Sequence, residues 1–554
     1  MSLAIVYTRA NQGVDAPLIT VEVHLSNGLP ALSMVGLPET AVRESRERVR
    51  SAILNAGLDF PARRITINLA PAGIPKSGGR YDLAIALGIL AASQQIPPGC
   101  LEHLEILGEL ALTGTVRPVA GVLPAAVAAR DASRHLLLPE ANAEEAGLVC
   151  GAEYLPVADL RTACQFLLDG SGPGPGPGPG PIRQGRGPAR EAPDAGAELP
   201  RVEDIKGQVQ AKRALLIAAA GAHNLLMTGS PGTGKTMLAH ALATLLPRLS
   251  EAEALEVAAV RSVAGQTLTT QAWGAPPFRA PHHGISSVAL VGGGRQLKPG
   301  EVTLAHTGVL FLDELPEYRR HVLESLREPM ESGLVSVSRA DYRVNLPARF
   351  QLLAAMNPCP CGYLGDTRSP CRCTPDRIAR YLDKISGPLL DRIDLQVSVP
   401  RVGYHELIVG SESAAALVEE VQAQQAQPRR APEQLAPAQQ TSAQLAAQVV
   451  LCRERQQRRQ QCLNSRLGAA QLLQVAALDD AGHQLLQQLA DRLALSARAC
   501  HRTIKVARTI ADLEGEDQIR RGHIAEAAGY RCAIGRGAGG GVTEFRESDR
   551  REPR

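Results

Sequence analysis

The eight residues Gly229, Ser230, Pro231, Gly232, Thr233, Gly234, Lys235 and Thr236 constrain this chain more than any other stretch. They fit the spacing GxxxxGK[ST], directly after the apolar run Leu225–Thr228 and directly before the helical stretch Met237–Leu246. That strand–loop–helix context is what a phosphate-cradling loop needs. Its glycines let backbone N–H groups curl around an anion at a helix N-terminus, where the dipole favours negative charge. The spacing predicts a nucleotide site running from Gly229 through Met237. Lys235 is placed to reach the β/γ oxygens and the Thr236 hydroxyl to hold Mg²⁺.

Two further apolar runs supply partners for such a loop. Val309–Leu312 delivers Asp313 and Glu314, the first to bind the magnesium and the second to polarise an attacking water. Leu352–Met356 ends in Asn357. If this run lies between the other two, the amide reaches the water or the γ-phosphate; otherwise it is a turn residue before Pro358. Arg392, in Leu389-Leu-Asp-Arg-Ile-Asp394, and Arg498, at the start of a late helical stretch, are the candidate cations for charge growing on the transferred phosphoryl group. Three apolar runs interleaved with helical periodicity predict a parallel sheet wrapped by helices.

At 554 residues the chain exceeds what one core supports, so several domains are expected. The strict Gly-Pro alternation at 172–181 marks the plainest boundary and reads as a solvated linker over 171–199. Before it, strand-like Ile19–Leu25 and Ile65–Leu69 and helical Glu39–Ala56, Tyr81–Leu90 and Leu123–Arg130 predict a mixed α/β unit over 1–170. After it come an α/β core over 200–400 and a smaller helical unit over 401–535. The latter carries an Ala/Gln/Pro-rich insertion around 411–444 and precedes a disordered tail over 536–554. Net charge is +3 and aromatics are 3% of residues, so neither bulk charge nor stacking rings signals nucleic acid. The start lacks a signal peptide's features and no run reaches about eighteen apolar residues, which predicts a cytoplasmic chain without membrane spans.

Of eleven cysteines, four crowd into Cys359, Cys361, Cys371 and Cys373. Two CxC pairs joined by a short loop can converge on a structural zinc ion, although CxxC is the commoner spacing. Unligated thiols and redox pairing are the alternatives; a reducing compartment disfavours the second. His282 and His283 are adjacent on a loop without a third ligand, so packing or DNA contact suits them better than metal. The basic run Arg453, Arg455, Arg458, Arg459 and Arg466 reads as a solvated helix face or a phosphate-backbone contact.

Residues 201–535 resemble an AAA+ ATPase of the magnesium-chelatase class, and within it the ComM/YifB family. The matching segments are GSPGTGKT at 229–236, FRAPHHGIS at 278–286, KPGEVTLAHTGVLFLDELPE at 298–317, NPCPCGYLGD at 357–366, SGPLLDRIDL at 386–395 and VARTIADLEG at 506–515. VGLPETAVRESRERVRSA at 35–52 and NLAPA at 68–72 extend the likeness into the first domain. The resemblance implies an AAA+ P-loop module with a small helical lid, and a homo-hexamer with ATP and Mg²⁺ at subunit interfaces. It makes Arg392 a trans-acting arginine finger, Asn357 sensor 1 and Arg498 sensor 2. It also implies an ATP-driven DNA motor for branch migration or unwinding in natural transformation, on single-stranded or branched DNA. Loops bearing Arg295, Lys298, Arg339 and Arg343 would line its pore. A chelatase-type remodeller acting on a protein or metal-insertion partner is the competing reading. The first domain resembles the Lon-protease-like (ribosomal S5 domain 2-like) fold. Arg80 stands where its serine is expected and Leu123 where its lysine is, which removes nucleophile and base together.

Overall fold

Burial alternates residue by residue along the strand Leu18–Ser26, with Ile19, Val21, Val23 and Leu25 turned inward. A pleated strand with one apolar face must lay that face on something, and here it is a helix. The computed structural model describes residues 2–36, 39–168, 182–187, 200–266, 272–294, 298–338, 343–366, 368–403, 440–493 and 495–531. Leu18–Ser26 belongs to an eight-stranded mixed sheet in the order Arg183–Gln184, Glu153–Val157, His135–Pro139, Leu104–Ile106, Ser2–Arg9, Leu18–Ser26, Arg64–Ala70, Ala31–Val35. The helix Asp82–Ala92, buried along its whole length, covers it. Gly88 permits the close approach, since a Cβ there would stand 2.7 Å from a Val23 methyl. The buried Asp82 carboxylate is neutralised by Arg48, whose Nε donates to it at 2.8 Å.

Arg183–Gln184 corrects one expectation. These residues lie inside the expected linker yet pair antiparallel with Tyr154 and Glu153, because the sheet edge offers unpaired backbone groups there. The Gly-Pro alternation at 172–181, residues 411–439 of the insertion read around 411–444, and the tail at 536–554 lie outside the described residues, while Ser442–Gln444 already belong to the helix Ser442–Gln460.

The second sheet has five strands, all parallel, in the order Phe278–Arg279, Val309–Leu312, Gln351–Met356, Leu225–Thr228, Leu395–Ser398. Val309–Leu312 and Gln351–Met356 are buried at every position, as expected of strands covered on both faces, and they read as continuous apolar runs. Helices Val209–Gly221 and Lys235–Leu245 pack on one side. The helices Ser442–Gln460, Ala497–Glu514 and Arg521–Gly529 share that same core through Leu445, Val449, Val506 and Ile524. Arg213 ties them down further, pairing with Glu526 at 2.9 Å and Glu514 at 3.2 Å.

The basic run departs from both readings given above. Arg453 turns inward and donates to Ala219 O at 2.7 Å, Arg455 donates to Asp512 O at 2.8 Å, and Arg459 pairs with Asp512 at 2.6 Å. Arg453 braces the helical unit on the core, whereas Arg455 and Arg459 tie the helices Ser442–Gln460 and Ala497–Glu514 of that unit to each other. Arg458 stays exposed beside Glu454, as a solvated face would have it.

The first domain rests on the helix Glu251–Val263. Ala258 from that helix is buried in a cluster with Val122, Leu123 and Ala126, and Trp273 packs against it. Gly121 N donates to Ser262 O at 3.0 Å, while Leu123 N donates to Glu145 Oε1 at 3.0 Å. Arg80, also buried, donates from Nη1 to Ala120 O at 3.4 Å. Of the two positions expected for a protease dyad, Leu123 therefore belongs to the packed surface that meets the helix Glu251–Val263, and Arg80 is buried inside the first domain.

Candidate nucleotide site

Three strands of the parallel sheet end together. Thr228 is registered with Met356, and Leu312 with Ala354, so the loop after Thr228, the Asp313–Glu314 pair and Asn357 emerge along one edge. Such C-terminal edges are where open α/β sheets bind ligands. Gln351–Met356 does lie between the other two strands, the arrangement that Asn357 required.

Lys235 opens the helix Lys235–Leu245 and is buried. Its ammonium donates to Gly229 O at 2.7 Å, Ser230 O at 3.0 Å and Asn357 Oδ1 at 3.1 Å. Burial pulls its pKa below the ordinary lysine value, against the pull of Asp313 and Glu314. The Thr236 hydroxyl donates to Asp313 Oδ2 at 3.0 Å, placing a hydroxyl and a carboxylate where a divalent ion takes both. Gly232 and Gly234 hold left-handed φ of +76° and +85°, which the tight turn demands. These residues fit a nucleotide with its magnesium. The ammonium makes three hydrogen bonds to oxygens that phosphate oxygens could replace, and the hydroxyl and carboxylate that would hold an ion already touch.

Glu314 takes a left-handed backbone, φ 52°, held by its own N–H donating to Asp313 Oδ1 at 2.9 Å. Its side chain is half exposed, and His283 Nδ1 stands 3.6 Å from Oε2. The His283 ring meets the Tyr318 ring edge-on at 6.4 Å, and Tyr318 donates its hydroxyl to Pro281 O at 2.5 Å. Composition and spacing left His283 to packing or DNA; the fold places it against the candidate base. The clue was its position within FRAPHH, downstream of a strand that pairs directly with the one carrying Asp313. His283→Ala is expected to lower ATP turnover about tenfold and to have little further effect in a Glu314→Gln background, as coupled neighbours do. Equal losses in both backgrounds, measured as phosphate release, would remove His283 from the site.

Arg392 and Arg498 lie elsewhere. Leu395 is registered with Leu225 at the start of the phosphate-loop strand, and Asn224 Nδ2 donates to Arg392 O at 2.9 Å. Arg392 is therefore at the opposite edge of the sheet from Lys235, across a four-residue strand spanning roughly 13 Å at about 3.3 Å per residue. Only 6% of it is exposed, less than a residue reaching for a neighbour would need. It donates to Pro388 O at 2.6 Å and pairs with the Glu331 carboxylate. Arg498, 69% exposed, stands 3.7 Å from that same carboxylate. Glu331 thus gathers both candidate cations, a role the sequence did not signal.

Lys298 is exposed on a short hairpin, Gly292–Gly293 with Lys298–Pro299. A second hairpin, Leu334–Ser338 with Arg343–Pro347, runs close to it and begins two residues after Ser332 closes the helix that bears Glu331. Arg295, Arg339 and the side chain of Arg343 lie outside the described residues. Cys359, Cys361, Cys371 and Cys373 do converge, with all four sulfurs within 4.8 Å of one another. Among the described residues no helix is long and apolar enough to cross a membrane.

A phosphate loop, an apolar strand leading into Asp313–Glu314 and a central apolar strand leading into Asn357 define a P-loop module. Family comparisons agree along the chain. The family described as magnesium chelatase, subunit ChlI, matches residues 201–407, its C-terminal part matches 439–531, and subunit ChlI of Mg-chelatase matches 21–142. The competence protein ComM of Haemophilus influenzae is 46% identical over 96% of this chain and 98% of its own length. The uncharacterized protein YifB of Salmonella typhimurium is 46% identical over 96% of this chain and 97% of its own. The magnesium-chelatase 38 kDa subunit of Cereibacter sphaeroides is 30% identical over 28% of this chain and 51% of its own. The chain belongs to the ComM/YifB family of magnesium-chelatase-like AAA+ proteins.

Proposed function

We propose that this protein is an ATPase that assembles into a ring, a hexamer by family resemblance, and drives branch migration or unwinding of DNA in the cytoplasm during uptake of foreign DNA. The observation that supports the reading is the separation of Lys235 from Arg392 across the sheet: an Arg392 that serves a nucleotide serves one held by a second copy. Near-full-length similarity to a protein named for competence supports the DNA substrate. The match to a magnesium-chelatase subunit favours the competing remodeller, but it spans only 28% of this chain, against 96% for the competence protein.

Bound ATP with Mg²⁺ supplies the scissile phosphoanhydride and the divalent charge. Lys235 and the loop N–H groups would hold the β- and γ-phosphates, and Thr236 and Asp313 would hold the ion. Glu314 accepts the proton of the attacking water, with His283 limiting where its carboxylate points. Asn357, bonded to Lys235, orients that water or the γ-phosphate. Arg392 and Arg498 stabilise the charge on a neighbour's phosphoryl group once Glu331 releases them. Because Glu331 stands just before the hairpin Leu334–Pro347, that release moves a loop toward or away from the DNA.

The test is a labelled three- or four-way junction incubated with protein, ATP and Mg²⁺. Resolved products are expected in about hundredfold excess or more over a Glu314→Gln control, the lower end of the range for a lost general base. Unaltered junctions alongside strong ATP hydrolysis would move the assignment to remodelling.

A further inference from the structure

We infer that Cys359, Cys361, Cys371 and Cys373 form a structural zinc site that braces the phosphate loop. Cys359 Sγ lies 3.4 Å from Cys361 Sγ and 3.6 Å from Cys371 Sγ, and the last two are 3.6 Å apart. Disulfide sulfurs sit at about 2.0 Å, so these are separate thiols. Four thiolates at about 2.3 Å around a tetrahedral zinc ion stand about 3.8 Å from one another, close to the separations found here. The local backbone suits ligation. Gly362 N donates to Cys359 O at 2.9 Å, with Gly362 in the left-handed region, and Cys373 N donates to Cys371 Sγ at 3.5 Å. Four sulfur ligands leave no open coordination position, so the ion is structural, and soft thiolates select zinc over magnesium or calcium.

From Asn357 to Thr374 the described residues form neither helix nor strand, so a metal cross-link is what holds this segment's shape. The segment lies against the nucleotide site. A Cβ on Gly362 would stand 2.6 Å from Pro231 Cδ and 3.8 Å from Asn357 Cγ. The Asp366 carboxylate accepts Arg368 N at 2.8 Å and pairs with Arg401 at 3.0 Å; the Arg368 N–H and, after it, the nearby Ser230 hydroxyl help hold its pKa below the usual carboxylate value. The Cys359–Cys373 segment therefore touches the phosphate loop at Ser230 and Pro231 and backs Asn357. Zinc binding and ATP binding are consequently coupled, each tightening the other.

The test uses the full chain purified without added metal or chelator after growth in zinc-replete medium. Elemental analysis is expected to find about one zinc per chain, released as a mercurial titrates the four thiols. Cys361→Ser and Cys373→Ser should each lose most of the zinc, while Cys462→Ser keeps it. Re-addition of zinc to stripped protein should tighten binding of a fluorescent ATP analogue by about fivefold, a typical coupling between sites. Less than about a tenth of a zinc per chain, or iron in its place, overturns the site. Equal ATP affinity of stripped and zinc-loaded protein overturns the brace. Metal content of the unaltered chain reads the site even if the serine variants fail to fold.

Discussion

Glu314→Gln is expected to lower ATP turnover by about 10³-fold while leaving ATP affinity within about threefold of the parent, the pattern of a lost general base. Glutamine keeps the size and the hydrogen-bonding reach of the side chain but cannot take a proton from water. The groups that hold the nucleotide are untouched by the change: Lys235 keeps its bonds to Gly229 O and Asn357 Oδ1, and Thr236 keeps Asp313. Asp313→Asn should behave differently, weakening Mg²⁺-dependent ATP binding as well as turnover, because it removes charge from the ion's own ligand. Phosphate release and nucleotide affinity measured side by side separate the two. Turnover of Glu314→Gln above about a tenth of the parent value would show that another group accepts the proton.

Much of this site was legible because parallel sheets impose one rule on distant segments. Once 225–228, 309–312 and 351–356 are recognised as buried parallel strands, their C-terminal ends must meet, and Lys235, Asp313 and Asn357 meet with them. The cysteine cluster was legible for a similar reason, its members being close in sequence. What stayed hidden are contacts that join surfaces with no shared periodicity. Glu331 and Arg392 are 61 residues apart, and nothing in either segment marks the other. Leu123 was read by its alignment to a missing lysine, whereas its own backbone N–H meets Ser262 across 139 residues of chain. The arginines of 453–459 show helical spacing, but spacing cannot say which face another module will cover. Arg183–Gln184 was masked by composition: Gly and Pro around it suggest no ladder, yet two residues suffice at an open edge.

Arg392→Ala should abolish turnover by about 10³-fold or more, as loss of an arginine finger does, with ATP binding retained. That result alone does not separate a residue acting in its own site from one acting next door; mixing does. Lys235→Ala leaves a subunit unable to hold nucleotide but with Arg392 intact; Arg392→Ala leaves the reverse. In a head-to-tail ring each site takes its loop from one copy and its finger from the next, so random mixing of equal amounts restores about one site in four. Turnover of the mixture should therefore rise to about a quarter of the parent value while either variant alone stays near zero. Arg392 must first leave Glu331 and the buried setting in which only 6% of it is exposed, so Glu331→Gln should raise turnover wherever that release is slow. A mixture that demonstrably co-assembles yet hydrolyses no more ATP than its parts would place Arg392 in its own subunit's site. The roughly 13 Å of strand between its backbone and the phosphate loop is why restored turnover is the expected result.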